Sequence, residues 1–230
     1  MFSHRFGSCA LLLAGPLFAV GNAVTALAWR QPPFDWRTHN ISDLGHVTCG
    51  LWDPSRPRQV CSPWHPLMNG TFILTGLLIA VGLLLTWSAL GGGLAVRAAQ
   101  LAALAAAGGY VLVGVYPSDV DENLHVLGAA LVFGAGNLAP LLAARPRRAA
   151  VPGSVCRLGL VLGLIGLAGT VLFLAQVDLG FGVGGMERVA VYPFLIWLVV
   201  LGGWWLSGRR GPSVRAEEAG GPGDGQPDQP

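Results

Sequence analysis

Lysine is absent from this 230-residue chain, and charge of either sign is scarce: charged residues make up 11%, with a formal net charge of +2. A soluble domain carries ~25%, so there are too few charged groups here to cover a folded surface in water. An ordinary soluble enzyme is excluded. Disorder is excluded as well, because it needs low hydrophobicity and high charge. The 14 basic residues, all arginine, are scattered rather than gathered on one face or tail, which argues against a nucleic-acid partner. Four cysteines are too few for a disulfide scaffold. The chain contains no HExxH or CxxC spacing, phosphate-binding glycine loop or GxSxG nucleophile elbow, so neither a metal nor a cofactor is expected.

What is abundant is apolar. Hydrophobic residues make up 53%, and 34 glycines add to them, a balance that belongs to an integral membrane protein. A bilayer core of ~30 Å takes ~20 apolar residues in helical form, because each span must satisfy its own backbone. Six stretches qualify: 8–29, 67–90, 94–116, 124–144, 158–177 and 189–206. The expected fold is an all-α, six-helix membrane bundle over residues 1–207, with one long loop between spans 1 and 2. Residues 208–230, rich in Gly, Pro, Asp, Glu and Gln, read as a disordered tail. His4 and Arg5 precede an apolar run ending Ala26-Leu27-Ala28, which resembles a signal-peptidase site; the run is long enough to cross a bilayer by itself, and we read it as a span.

Pro66 suits a first helical turn, and Ser118 with Asp121 reads as a capping box for the fourth span. Trp29, Trp64, Trp87, Tyr116, Tyr192, Trp204 and Trp205 fall near span ends, where an aromatic belt is expected. Gly159, Gly163 and Gly166 share a helix face open to close packing. An N-terminus inside places nine arginines in cytoplasmic segments and five outside, so the positive-inside rule predicts both termini cytoplasmic. Cys49 and Cys61 then share the oxidising outer side and are expected to pair, while Cys9 and Cys156 lie at cytoplasmic span ends and stay free.

Ionisable residues deep in a bilayer flag function, and none falls near the middle of these spans; Asn22, Thr75, Asn137 and Thr170 are the central polar residues, all neutral. A transporter is therefore disfavoured. Polar chemistry gathers instead at the outer end. Asp43 and His46 are three apart, and Asp121 and His125 four apart, so each pair shares a helix face. Such pairs bind metal or orient a general base, but acids also favour helix N-termini for electrostatic reasons. His65 and Asn69 are likewise four apart. We expect His39, Ser42, Asp43, His65, Asn69, Asp119 and His125, with His46 and Asp121 beside them, to form one polar cluster beneath the loop. Either a hydrogen-bond network pinning the loop or a ligand site satisfies that geometry.

The segment HNISDLG (39–45), the later SPWHPLMNGTFILTGLL (62–78) and VYPSDVDENLHVLGAALVFGAGNLA (115–139) resemble the bacterial and archaeal membrane family called domain of unknown function 998. A fainter similarity, through the ISD core, reaches eukaryotic multi-span proteins of the autophagy-modulator and Sfk1-like group. The resemblance implies six helices and a membrane location, and no activity; the membrane is expected to be the bacterial plasma membrane. Two functional expectations follow. One is a non-enzymatic bundle whose partners are membrane lipids or another lipophile. The other is an outer-face enzyme acting on a lipid or isoprenoid through Asp43, His46, Asp119 and His125.

Overall fold

A computed structural model of the chain describes residues 2–144 and 151–208. The arginines at 145, 147 and 148, and the tail beyond Gly208, lie outside the described residues. Six helices, each long and apolar enough to cross a membrane, make up almost all of the regular structure: α1 (Phe2–Ala28), α2 (His65–Leu85), α3 (Leu94–Val115), α4 (Glu122–Ala143), α5 (Gly153–Leu174) and α6 (Val183–Leu206). The chain is a multi-pass, all-α membrane protein.

Several span boundaries move, each for a local reason. α1 begins at Phe2, six residues before the apolar run, and Ser8 Oγ donates back to the His4 carbonyl at 2.9 Å. α2 stops at Leu85 rather than residue 90. There Thr86 returns both its amide and its hydroxyl to the Gly82 carbonyl, and Gly91 and Gly93 take left-handed backbone angles in the turn that follows. α6 starts at Val183, six residues earlier than hydropathy places it, so Glu187 and Arg188 belong to its first turns. A charged pair reads as loop when only the lipid is considered; here other parts of the chain cover it.

The helices form a closed ring in chain order, each packed on its sequence neighbours and α6 returning to α1. Small residues set the close approaches. A Cβ on Gly163 would meet Leu141 Cγ at 2.6 Å, and one on Gly166 would run into the Asn137 side chain. Asn137 Nδ2 in turn donates to the carbonyls of Phe133 (2.9 Å) and Ala190 (2.7 Å), tying α4 to α6. α4 contains one π-type turn, Leu131–Ala135. Ahead of that turn, Glu122–Ala130 packs on α3; from the turn onward the helix also meets α5. The two helices therefore splay toward one end of the bundle.

That end is capped by the loop between α1 and α2. A single 3-10 turn, Ser42–Gly45, is followed by a small antiparallel hairpin, β1 (Gly50–Trp52) with β2 (Arg58–Val60), in the register Gly50↔Val60 and Trp52↔Arg58. Cys49 and Cys61 are disulfide-bonded just outside the paired residues, and Cys9 and Cys156 are free thiols. Two expected belt aromatics turn inward instead. Trp29 is buried against Phe34 and His39, and Tyr192 packs edge-on to Phe18 at 5.9 Å.

Candidate functional site

The cap is sewn to the bundle by polar groups. Asp43, fully buried, accepts from Arg58 Nε (2.6 Å) and Nη2 (2.7 Å) and from the Asn40 amide (2.8 Å). Arg58 Nη1 reaches Asp53 at 3.2 Å, so each nitrogen of the guanidinium faces a carboxylate. Burial works against that charge, but Asp43 and Asp53 outweigh it, and the pKa of Arg58 is raised. Asp119 accepts from the amides of Val47 (2.9 Å) and Thr48 (2.7 Å) and from the Thr48 hydroxyl (2.8 Å). Burial pushes its pKa up, but the hydrogen bonds from Thr48 prevail, and the net shift is downward. Arg188 Nη1 donates to the carbonyls of Gly184 (2.6 Å), Trp36 and His39 (both 3.2 Å), with its guanidinium over the Trp36 ring.

Beneath this cap, where α4 and α5 splay, lies a cleft of about 840 Å³. Its two ends differ in chemistry. Ser42, Asp53, Arg58, Glu122, His125 and Glu187 supply the polar groups at the end under the hairpin, where Leu51, Trp52 and Pro54 also line it. Val126, Ala129, Ala130, Phe133, Phe173 and Leu174 line the part between α4 and α5. The rings of Phe133 and Phe173, 5.6 Å apart, join the two walls. A smaller recess of about 30 Å³ is lined by Ser42, His125, Phe133 and Glu187 as well, and by Tyr110. A cleft of this volume is within the range that holds a small amphiphilic ligand.

The residues singled out from sequence separate into groups. Ser42 and His125 line the cleft. Asp43 and His46 stand behind it: His46 Nε2 is 2.7 Å from Ser118 Oγ and 4.0 Å from Asp43 Oδ1, with its ring edge-on to Trp52. Burial lowers the His46 pKa, and Asp43 and Asp119 only partly offset this. His39 turns away toward Trp29 and Phe34, with Nε2 2.9 Å from the Gln59 carbonyl and Nδ1 accepting from the Asp35 amide at 3.1 Å. Asn69 Nδ2 donates to the Gly45 carbonyl at 2.9 Å. His65, half-buried, makes no side-chain hydrogen bond among the described residues. Asp121 alone caps α4, accepting from the Leu124 amide at 3.0 Å. Ser118, expected as its partner in a capping box, is drawn to His46 instead.

Of the four groups in the enzymatic reading, Asp43, Asp119 and His46 are held in loop contacts, and only His125 reaches the cleft. No group of three His, Cys, Asp or Glu with metal-holding geometry occurs among the described residues.

A model of the family described as Protein of unknown function (DUF998) matches residues 12–204. The chain belongs to the DUF998 family. No curated protein and no solved structure matches it. The matched region spans the cap and the cleft-lining residues alike, so the cleft lies wholly within the family's domain.

In this DUF998 chain, sequence reasoning missed Arg58 and Glu187. Arg58 looked like one of four scattered loop arginines, and nothing local ties it to Asp43, fifteen positions away. Glu187 was hidden by placing the sixth span too late. Its setting offered a signal: Gly182, Gly184 and Gly185 stand just before it, where small residues admit close approach by another segment, and an apolar helix tolerates an acid only if something covers it.

Proposed function

We propose that this protein is a non-enzymatic lipid- or lipophile-binding bundle, holding the polar end of an amphiphile beneath the cap and its apolar tail between α4 and α5. The observation that carries this reading is the two-ended cleft, polar under the hairpin and apolar where the helices part. Apolar surface in contact with a lipid tail needs no water-filled alternative, while the buried polar groups at the other end need partners. Arginine bias supports placing the cap on the outer face of a bacterial plasma membrane, with both termini cytoplasmic.

The test is lipid identification by mass spectrometry on gently purified protein. A co-purifying amphiphile should be present at about one per chain, as one cleft of this size implies. It should be lost when Ala130→Trp fills the apolar part from an exposed position on α4. A lipid complement identical in the two proteins would refute the reading.

A further inference from the structure

The polar end of the cleft has an imbalance that the cap does not repair. Its lining carries Asp53, Glu122 and Glu187 against one cation, Arg58. That cation is committed: Asp43 takes two of its nitrogens and Asp53 the third. Glu187 is 5% exposed, and among the described residues only the Ile41 amide donates to its carboxylate, through Oε2. No cationic side chain forms an ion pair with it there. Arg188, adjacent in sequence, gives Nη1 to the carbonyls of Trp36, His39 and Gly184 and does not line the cleft. Burying a carboxylate without a counter-charge is costly, so this position favours an occupant that brings one.

His125 points to the same chemistry. Its Nδ1 lies 2.9 Å from the Tyr116 carbonyl. A carbonyl only accepts, so Nδ1 carries the hydrogen, and in the neutral ring Nε2 keeps its lone pair. The ring lines both the cleft and the recess. The Tyr110 hydroxyl, on a fully buried side chain at the recess, has no partner among the described residues and can donate or accept. An anionic head would thus face three carboxyl groups, with no cation in the cleft lining except the committed Arg58 to receive it.

We infer that the cleft selects an amphiphile whose head carries a primary ammonium group. This rests on the lipid-binding reading above and narrows it. The ammonium supplies both the missing counter-charge for Glu187 and N–H donors for acceptors such as His125 Nε2. A quaternary head brings the charge without the donors, and a phosphate-only head brings no positive charge.

The experiment is a competition in nanodiscs of phosphatidylcholine doped with equal small amounts of phosphatidylethanolamine, phosphatidylglycerol and octadecylamine, acyl chains matched among the phospholipids. Native mass spectrometry of the full chain reads which lipids stay bound. One or both ammonium lipids should be enriched about tenfold over their bulk share, the scale of one charge-assisted hydrogen bond. Retention of octadecylamine alone would assign a simple alkylamine; retention of phosphatidylethanolamine would assign the phospholipid. Glu187→Gln, which keeps an acceptor for Ile41, should erase the enrichment while lipid remains bound. Glu122→Gln, at an exposed position on the rim, should weaken it without risk to the core. Bound lipid matching the bulk composition, or enriched in phosphatidylglycerol, would overturn the ammonium inference while leaving the cleft reading standing. Bound lipid unaffected by Ala130→Trp, or none at all, would overturn both.

Discussion

Asp43 shows what the cap asks of single residues. A fully buried carboxylate is tolerable only with its charge matched and its lone pairs used, and Arg58 with the Asn40 amide does both. His46 beside it is in a different position. Its pKa is lowered by burial, with Arg58 and His125 adding to the effect and Asp43 and Asp119 opposing it. A base with a depressed folded-state pKa binds fewer protons folded than unfolded, so stability rises with pH across the window between the two values. The stabilisation from neutral His46 is therefore complete above its ordinary value of 6.5 and is lost as the pH falls through the lower, folded value. Thermal unfolding in detergent should show the midpoint dropping as the pH is taken down through this window, with a shallower drop in His46→Gln. Equal slopes for the two proteins would show that His46 does not titrate in the transition.

At the scale of elements, the contact that matters most is the one where α4, α5 and α6 meet. Gly166 leaves room for the Asn137 side chain, whose amide bonds back to Phe133 and across to Ala190. A methyl group at 166 would collide with that amide, and Asn137 cannot move away without giving up its bonds. Gly166→Ala should therefore cost roughly 1–3 kcal/mol, the usual penalty for overpacking, and lower the thermal midpoint. Gly153→Ala, where a Cβ would meet nothing within 4 Å, serves as the control on the same helix. A smaller loss at Gly166 than at Gly153 would mean that α5 shifts freely. The same junction bears on the cleft, because α5 meets α4 from the π-type turn onward and the two part above it.

At the scale of the whole molecule, the ring of six antiparallel neighbours puts the cap, the start of α2, α4 and α6, and the end of α1, α3 and α5 at one end, and the start of α1 and the end of α6 at the other. The proposed orientation makes the cap end external. A reporter active only in the cytoplasm should give signal when fused after Ser207 and none when inserted after Asp53. The reverse pattern would place the cleft's polar end on the cytoplasmic side and change the pool of lipids available to it.

The sequence by itself determined the membrane environment, the number of spans and the end of the bundle at which polar chemistry collects. Those properties depend on local sums: an 18- to 20-residue apolar window must cross lipid as a helix whatever it packs against. The Cys49–Cys61 pairing was legible for a similar reason, since twelve positions in one loop already bring the thiols near. Only the tertiary structure decided which polar residues meet. Arg58 reaches Asp43 because a hairpin folds the loop back. Asp119 is consumed by Thr48, 71 residues away, and Ser118 goes to His46 rather than to a helix cap. Glu187 could be placed inside a span only once the loop above it was known, because what makes a buried acid tolerable is the set of groups around it, and those come from distant parts of the chain.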